Sequence, residues 1–254
     1  MSDIHQTSRG SNLDRLANID IDVRNSLYLH YKSYHKELFD ALAKYAKGRL
    51  LDIGCGNKPY QSLMSSHVTA YIGCDIIQSN NQSVDLLCPA NQIPVDNGSF
   101  DTVISTQTIE HVEDHQGLVE EAYRILQQGG YFIISGPMYW PLHEEPYDFF
   151  RFTKHGFSYL LEKANFEIVE IKPNGGKWSV AGQALIHALY PTVYNIKGFK
   201  GTVIRIVNKM FGGIKTLNRF FYYLDNKLPD YTNTMNYVII ARKPIIQSEN
   251  NSNY

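Results

Sequence analysis

The sequence is poor in cysteine and has no long apolar run. It contains three cysteines in 254 residues, and no two of them form a C-x-x-C pair, the usual spacing of cysteine metal ligands. An odd number of widely spaced cysteines is typical of a reducing compartment. No apolar run reaches the ~18 residues that a membrane-spanning helix needs. We therefore expect free thiols, no metal site and a cytoplasmic protein.

The two ends of the sequence are polar. Residues 1–12 contain no apolar stretch and therefore no visible secretory signal, and residues 246–254 are rich in serine and asparagine. We expect both ends to be disordered. The stretch 13–245 is long enough to bury a core, and the overall composition, 43% hydrophobic and 19% charged, is that of a globular domain.

Acidic residues are missing from one long segment. None occurs between Glu170 and Asp225, although the net charge of the whole sequence is only −1. The same segment carries eight basic residues, namely Lys172, Lys177, Lys197, Lys200, Arg205, Lys209, Lys215 and Arg219. Its apolar residues recur by threes and fours in a helical seam that is interrupted at Gly212–Gly213. The seam consists of Val203, Val207, Met210, Ile214, Leu217, Phe221 and Leu224.

Two hypotheses account for this basic amphipathic segment. Residues 197–221 could lie on an anionic membrane surface, with the protein peripheral at the inner face of the membrane. The seam could instead pack on the rest of the domain as a cap over a substrate pocket, with its charges solvated. The two are compatible if the substrate is linked to a lipid. The segment has no nucleic-acid recognition motif, so we expect no nucleic-acid partner, and nothing indicates an oligomeric state.

Short apolar segments alternate with helical patterns through the middle of the chain. Five such segments are apolar almost throughout (49–54, 70–75, 84–88, 100–106 and 130–135), and two more strands are predicted at 166–171 and 237–241. Apolar strands separated by helices predict an α/β fold with a mostly parallel sheet covered on both faces. Helices are expected at 27–45, ending near Gly48, at 116–126, and in an insertion at about 178–228 before the last strand.

A turn with two glycines follows the first predicted strand, in LDIGCGNK. Gly54 and Gly56 permit a tight turn and close approach of a ligand. Asp75 ends the second predicted strand 19 residues after Gly56, where an acid is well placed to bind a ribose diol. The dinucleotide motif G-x-G-x-x-G is incomplete, because Pro59 occupies its third glycine position. Asp52 would repel a pyrophosphate and attract a cation, so the pattern favours a positively charged nucleoside cofactor without phosphates.

Several motifs in order carry a family resemblance between Arg49 and Ser135. They are LDIGCGNK, IPVDNGSFD, TIEHV and RILQQGGYFIIS. This stretch resembles the class I S-adenosylmethionine-dependent methyltransferases, in particular the type 11-like group. The resemblance implies a Rossmann-like fold with a seven-stranded, mostly parallel sheet and helices on both faces. It also implies S-adenosyl-L-methionine as the cofactor.

The resemblance further implies a role for each matching residue. Gly54 and Gly56 would line the methionine end of the cofactor, and Asp52 would face its amino group through the loop or a water. Asp75 would hold the ribose hydroxyls. Gln107, after the fourth strand, would cover the cofactor from the other side.

The adenine contacts are less regular. Ile76 would lie against the adenine. The family's third loop glycine is replaced by Lys58, and the position of a common adenine-binding acid is occupied by Pro89. Backbone groups around Ala90 would then bind the adenine, or Asp85 would do so if the alignment is shifted by a few residues.

An aromatic segment with charged residues follows the fifth predicted strand, at 135–157. It contains a match to H-x-x-P-x-D-[YF]-x-R-[YF]-T, a pattern that resembles methyltransferases of bacterial surface-polysaccharide and O-antigen gene clusters. The end of a parallel strand is where open α/β sheets bind ligands. The segment could alternatively be a loop whose aromatic residues simply pack on the sheet.

Methyl transfer from a sulfonium mainly needs the acceptor to be positioned in line with the methyl group. A hydroxyl acceptor also loses a proton, for which His143 and His111 are candidate bases, with Asp148 as partner. Arg151 and Tyr147 are the candidate acceptor-binding residues. Asp148 and Arg151 could equally form a structural ion pair.

These patterns lead to three hypotheses about function. The first is O-methylation of a sugar in a cell-surface glycan or its precursor, a substrate class that the resemblance implies. The second is methylation of a small metabolite such as a quinone or natural product. The third is a non-catalytic subunit that binds the cofactor or acts through its 172–224 surface.

Overall fold

The computed structural model describes residues 21–210 and 212–246. The expected disorder of 1–12, and of the tail beyond 246, lies outside these residues. The helices are α1 (Tyr28–Tyr45), α2 (Gln61–Met64), α3 (His115–Ile125), α4 (Lys154–Lys163), α5 (Lys177–Asn195), α6 (Gly198–Met210) and α7 (Gly213–Lys227), with a 3-10 turn at Ile109–His111. The strands are β1 (Gly48–Ile53), β2 (Val68–Asp75), β3 (Leu86–Leu87), β4 (Phe100–Thr106), β5 (Leu126–Pro137), β6 (Glu167–Asn174) and β7 (Asn236–Arg242).

The strands form one seven-stranded sheet in the order β3-β2-β1-β4-β5-β7-β6. The first five strands of this order pair in parallel, and β7 is antiparallel to both β5 and β6. The predicted α/β fold, with a mostly parallel sheet and a helical insertion before the last strand, is confirmed. Because β1, β2, β3, β4 and β5 run the same way, their carboxyl ends meet along one edge of the sheet.

Alternate residues of the central strands face opposite layers of helices. One face carries Leu51, Ile53, Val103, Phe132, Ile134 and Ile239, which share a core with residues of α3 and α4. The other face carries Leu50, Ile104, Ile133, Val238 and Ile240, which share a core with α1. Burial on both faces explains why these strands read as continuous apolar runs.

Some element boundaries differ from the predictions. Helix α1 ends at Tyr45, and Gly48 is the first residue of β1 with φ +59°, so Gly48 does not terminate the helix. The predicted strand at 84–88 shortens to two residues, since it pairs only with β2 at the sheet edge. Side-chain caps define two helix starts: Asp114 accepts from the Gly117 amide (3.0 Å) and Thr153 from the Gly156 amide (3.1 Å).

The insertion consists of α5, α6 and α7. Partly buried Asp225, near the end of α7, accepts hydrogen bonds from the Gly176 amide (2.8 Å) and the Ser179 hydroxyl (2.7 Å) at the start of α5. Asn218 is fully buried and donates to the carbonyls of Val23 and Asn25, both at 2.8 Å. These contacts tie α7 to α5 and to the segment before α1.

The predicted apolar seam divides at Gly212, whose φ is +76°. Its α7 half is partly buried, at Ile214, Leu217, Phe221 and Leu224. Its α6 half is exposed, with Val203 41% and Met210 78% exposed. The side chains of Val207 and Lys209 lie outside the described part. No helix in the part of the chain that the structure describes is long and apolar enough to cross a membrane.

Candidate functional site

A cavity of about 900 Å³ opens at the carboxyl edge of the parallel strands. Its wall follows the ends of β1, β2, β3 and β4 and then the segment after β5. Representative wall residues are Gly54, Asp75, Ala90, Thr108, His111 and Tyr147. Open α/β sheets bind ligands at this edge, and the volume is that of an ordinary small-molecule pocket. The cavity therefore brings the predicted cofactor side and the predicted acceptor side together.

The glycine turn comes too close to its neighbours to carry side chains. Gly54 has φ +75°, and a Cβ there would lie 2.3 Å from the side chain of Thr108. Gly56 has φ +49°, and its amide donates to Asp75 Oδ2 at 3.1 Å. Only glycine meets both demands at position 54, which leaves bare backbone on the cavity wall.

Asp75 is held by the backbone around it. Besides the Gly56 contact, its Oδ1 accepts from the amides of Ile76 (2.7 Å) and Ile77 (3.4 Å). A carboxylate accepts about four hydrogen bonds, so it retains capacity for a ligand hydroxyl. Ile76 lines the cavity and is 59% exposed, and Ala90 lies on the wall as well. An apolar platform beside a fixed carboxylate suits the base and ribose of a nucleoside.

Asp52 lies behind the turn and does not line the cavity. It is 1% exposed; Tyr71 donates its hydroxyl to Asp52 Oδ2 at 2.6 Å, and Oδ1 has no hydrogen-bond partner. Burial raises the pKa of Asp52 to about 7, against the opposing effect of the Tyr71 hydrogen bond. A nearby cation would favour the charged carboxylate.

Lys58 replaces the glycine expected in the turn and has its own role. It has φ +51° and forms an ion pair with Asp85 (2.5 Å), which also accepts from the Gly73 amide at 2.7 Å. Asp85 does not line the cavity. The Lys58–Asp85 pair therefore braces the turn against β2.

The acceptor side of the wall comes from residues 144–149 and from the turn after β4. His111, Glu144, Glu145, Tyr147 and Phe149 line the cavity. His143, Asp148 and Arg151 lie behind this wall. The segment after β5 is thus both a ligand-facing surface and a structural loop.

Asp148 and Arg151 form the structural ion pair. Arg151 donates to both Asp148 oxygens at 2.7 and 2.8 Å. Its remaining three N–H groups donate to the carbonyls of Trp140, Pro141 and Phe150. All five donors of the guanidinium are used within the loop, so the pair fixes the loop's shape. The same interaction lowers the pKa of Asp148 to about 2, against the effect of desolvation.

Two histidines, His111 and His143, meet beside the cavity. The His111 and His143 rings are 4.6 Å apart, and His143 Nδ1 lies 3.3 Å from Asp148 Oδ2, which also accepts from the His143 amide. The Nδ1 contact does not have hydrogen-bond geometry, so only the amide contact counts as one. His111 Nδ1 lies 2.7 Å from the Tyr147 carbonyl oxygen. A carbonyl only accepts, so Nδ1 donates, and Nε2 of the neutral ring carries the lone pair.

Glu110, next to His111, is one of three functional candidates that the sequence patterns did not single out. It is 1% exposed, and burial raises its pKa to about 8. Its signal is present in the sequence, because it is the acid of the TIEHV motif. Thr108 and Glu144 are also missed, since their placement depends on contacts across the cavity. Gln107 does not line the cavity and donates its side-chain amide to Ser135 Oγ at 3.3 Å.

Comparison with known proteins agrees with this geometry on the cofactor side. Residues 51–134 match the family model described as a methyltransferase domain. This stretch contains the glycine turn, Asp75 and the turn after β4, and it ends before the acceptor segment. The match supports a class I methyltransferase.

Two curated relatives are similar over about half of this chain. One is a probable S-adenosylmethionine-dependent methyltransferase of Mycolicibacterium smegmatis, 28% identical over 149 residues, which are 53% of this chain and 58% of that protein. Another is the chloroplastic 2-methyl-6-phytyl-1,4-hydroquinone methyltransferase 1 of Oryza sativa subsp. japonica, 30% identical over 125 residues, which are 47% of this chain and 35% of that protein. The matches thus span less than two thirds of either relative.

A solved structure shares the fold over most of its length. The [4+2]-cyclase SpnF superimposes with a TM-score of 0.55 and 18% identity over 89% of this chain and 86% of that chain. The likeness confirms the Rossmann-like class I methyltransferase fold. A cyclase with this fold also shows why activity has to be argued from the site.

Proposed function

We propose that this protein transfers a methyl group from S-adenosyl-L-methionine to a hydroxyl of a small acceptor. The observation that carries the proposal is a single cavity bounded by the glycine turn and Asp75 on one side and by His111 and Tyr147 on the other. The cofactor supplies an electrophilic methyl group. The protein supplies binding, alignment and proton removal.

The residues present suit this cofactor. Gly54 places bare backbone on the cavity wall, where a Cβ would overlap Thr108, and Asp75 offers a fixed carboxylate for the ribose hydroxyls. Asp52, buried behind the turn with an unpartnered Oδ1, would be driven to its charged form by the cationic amino group. The full proposed set is Asp52, Gly54, Gly56, Asp75, Ile76, Ala90 and Gln107.

We assign acceptor binding and proton removal to residues on the acceptor side of the cavity wall. We propose that His111, whose Nε2 bears the lone pair when the ring is neutral, or His143 receives the acceptor's proton. Asp148 keeps His143 in place by accepting a hydrogen bond from the His143 backbone amide. Tyr147 contacts the acceptor, and Arg151 shapes the loop that carries it.

The chemistry of the wall favours a neutral sugar as acceptor. Tyr147 and Phe149 are 48% and 40% exposed, and they offer flat apolar surfaces to the C–H faces of a sugar ring. Glu113, Glu144 and Glu145 line the same rim and can accept hydroxyl hydrogen bonds. No lysine or arginine lines the cavity among the described residues, so a phosphate would be repelled. The loop's resemblance to the polysaccharide-cluster pattern supports the same class of acceptor.

A second acceptor class follows from the relatives. One of them is a hydroquinone methyltransferase, and the half-exposed aromatic residues could equally contact a quinol ring. Incubation with methyl-labelled cofactor, offered a neutral oligosaccharide or a hydroquinone, separates the two classes. Label on a sugar oxygen supports the first proposal, label on the hydroquinone alone replaces it, and no cofactor binding at all contradicts both.

We also propose that α6 associates with an anionic membrane surface. Phe199, Val203, Ile206 and Met210 lie on one face of this helix and are 41–83% exposed. Exposed Lys197 and Lys200 lie at the start of the helix. An exposed apolar face flanked by basic residues suits the interface of a bilayer. A lipid-linked acceptor would then be presented close to the cavity.

A further inference from the structure

Three side chains with metal-ligating atoms meet at the acceptor wall. One oxygen of Glu110 and one imidazole nitrogen each of His111 and His143 all lie within 4.8 Å of one another. Glu110 and His111 belong to the turn after β4, and His143 comes from the loop after β5. The cluster therefore joins two segments that are 32 positions apart.

One carboxyl oxygen of the glutamate in this cluster is buried without a hydrogen-bond partner. Its Oε2 has no hydrogen-bond partner, although the residue is only 1% exposed. Buried carboxylates in folded proteins are normally paired with a cation or hydrogen-bonded. The closest arginine of the loop, Arg151, directs all five of its donors elsewhere. A cation placed there would supply the missing partner.

Both histidines are oriented by contacts on the side of the ring that faces away from the cluster. His111 donates from Nδ1 to the Tyr147 carbonyl, which directs Nε2 towards Glu110 Oε1 (4.0 Å) and Glu144 Oε2 (3.9 Å). His143 is held by Asp148 through its amide and a 3.3 Å ring contact. Metal-binding histidines are oriented in this way by a carbonyl or carboxylate on the far side of the ring.

We propose that Glu110, His111 and His143 bind one divalent transition-metal ion such as Zn²⁺ or Mn²⁺, with Glu144 as a further ligand. Two imidazole nitrogens and carboxylate oxygens are donors that suit these ions. Ligands at ~2.0–2.2 Å from an ion lie ~3–4 Å apart, so binding draws the side chains together by about 1 Å. The proposed site contains no cysteine, so the spacing of cysteines in the sequence could not indicate it.

The position of the site gives the ion a use, which rests on the proposed methyl transfer. His111 and Glu144 line the cavity, so an open coordination position would face the acceptor. A bound cation favours the deprotonated form of an oxygen ligand. With an ion bound, the imidazoles would act as its ligands and not as the bases proposed above, and the acceptor's proton would pass to water.

The test is equilibrium dialysis of the full-length, tag-free protein against Zn²⁺, Mn²⁺ or Mg²⁺ alone, with no cofactor or acceptor present. We expect one Zn²⁺ or Mn²⁺ per chain. Glu110→Gln and His143→Ala should each weaken binding by about 100-fold or more, since even the loss of an outer hydrogen bond costs 10–100-fold. His67→Ala, which removes an exposed histidine that does not line the cavity, should bind as wild type does.

Two measurements keep the outcome clear. Thermal unfolding checks that each variant is folded, and His143→Ala, on a partly exposed loop, carries the test if Glu110→Gln does not fold. The visible absorption of bound Co²⁺ should indicate nitrogen and oxygen ligands and change in both variants. Absence of Zn²⁺ and Mn²⁺ binding, or equal binding by wild type and both variants, overturns the site. Because no cofactor is present, this result is independent of whether the protein transfers methyl groups.

Discussion

The two walls of the cavity are built in different ways. On the cofactor side, the decisive contacts involve the backbone: a glycine pressed against Thr108, and amides that hold Asp75. On the acceptor side, side chains do the work, through the Asp148–Arg151 pair and the Glu110, His111 and His143 cluster. Backbone contacts tolerate few substitutions, whereas side-chain contacts can change with the acceptor. The cofactor side should therefore be damaged by adding atoms, and the acceptor side by removing functional groups.

The largest effect is expected from Gly54→Ala. The new Cβ would lie 2.3 Å from Thr108 at φ +75°, so the turn has to shift, and we expect cofactor affinity to fall by 100-fold or more. Calorimetry with S-adenosyl-L-methionine measures this loss. Gly98→Ala is a matched control, because Gly98 has φ +64° but no atom within 3.4 Å of its added Cβ. It should cost about 1 kcal/mol of stability and leave binding unchanged. Similar affinities for the two variants would show that crowding at Gly54 is unimportant.

The second effect concerns turnover on the acceptor side. His143→Ala should lower kcat by about 100-fold with cofactor affinity nearly intact, whether the imidazole takes the proton or holds an ion. A comparison of kcat with cofactor Kd checks this separation. Adding metal should not restore the variant. If His143→Ala lost cofactor binding as well, the division between the two walls would not hold.

A third effect acts on stability and binding in opposite directions. The pKa of Asp52 is about 7 in the folded protein and 3.8 for an ordinary aspartate, so between these values the unfolded chain ionises while the folded chain keeps the proton. Stability therefore falls as the pH rises through this window, by a few kcal/mol at most, at ~1.4 kcal/mol per pKa unit. Asp52→Asn retains an acceptor for Tyr71 and should be more stable than wild type at pH 8 and equally stable near pH 4.

The same variant should bind the cofactor more weakly, by roughly tenfold, because a charged hydrogen bond is lost. Unfolding in denaturant at several pH values, with and without cofactor, measures both changes. Superimposable pH profiles for wild type and Asp52→Asn would mean that Asp52 is ionised in the folded protein throughout.

The smallest effect is expected outside the cavity, on α6. Phe199→Ser with Met210→Ser should weaken sedimentation with phosphatidylserine vesicles by several-fold, and binding by the wild type should fall with added salt. Tyr159→Ser is the control, because Tyr159 is 64% exposed on α4, away from the insertion. Equal sedimentation of all three proteins, or none by the wild type, would remove the membrane proposal and leave α6 as part of a cap.

Much of the fold can be predicted from local sequence patterns. Its strands are buried on both faces, so they appear in the sequence as apolar runs that alternate with helical patterns. The cofactor wall follows as well, since its residues lie next to strand ends within a short stretch. Contacts between distant positions were not predictable in the same way. Nothing in the pattern indicates that Lys58 braces Asp85, or that Thr108 touches Gly54.

The insertion shows a related limit. The apolar period is the same in α6 and α7, yet only α7 packs against the domain. The difference comes from Asn218 and Asp225, polar residues on α7 whose hydrogen bonds to the rest of the domain a count of apolar positions leaves out. Likewise, the sequence pattern fits Arg151 either as a ligand of the acceptor or as the ion-pair partner of Asp148. Only the positions of its five N–H donors distinguish the two.

Asp225 has a consequence for how this chain could diversify. Its carboxylate binds the Gly176 amide and the Ser179 hydroxyl, so the insertion leaves and returns to the domain at nearly the same point. A segment with adjacent ends can change in length or sequence with little cost to the framework that holds it. The segment 180–224 between these anchors is thus an exchangeable module, and grafting a different one between the same two anchors offers a route to new acceptors on an unchanged cofactor site.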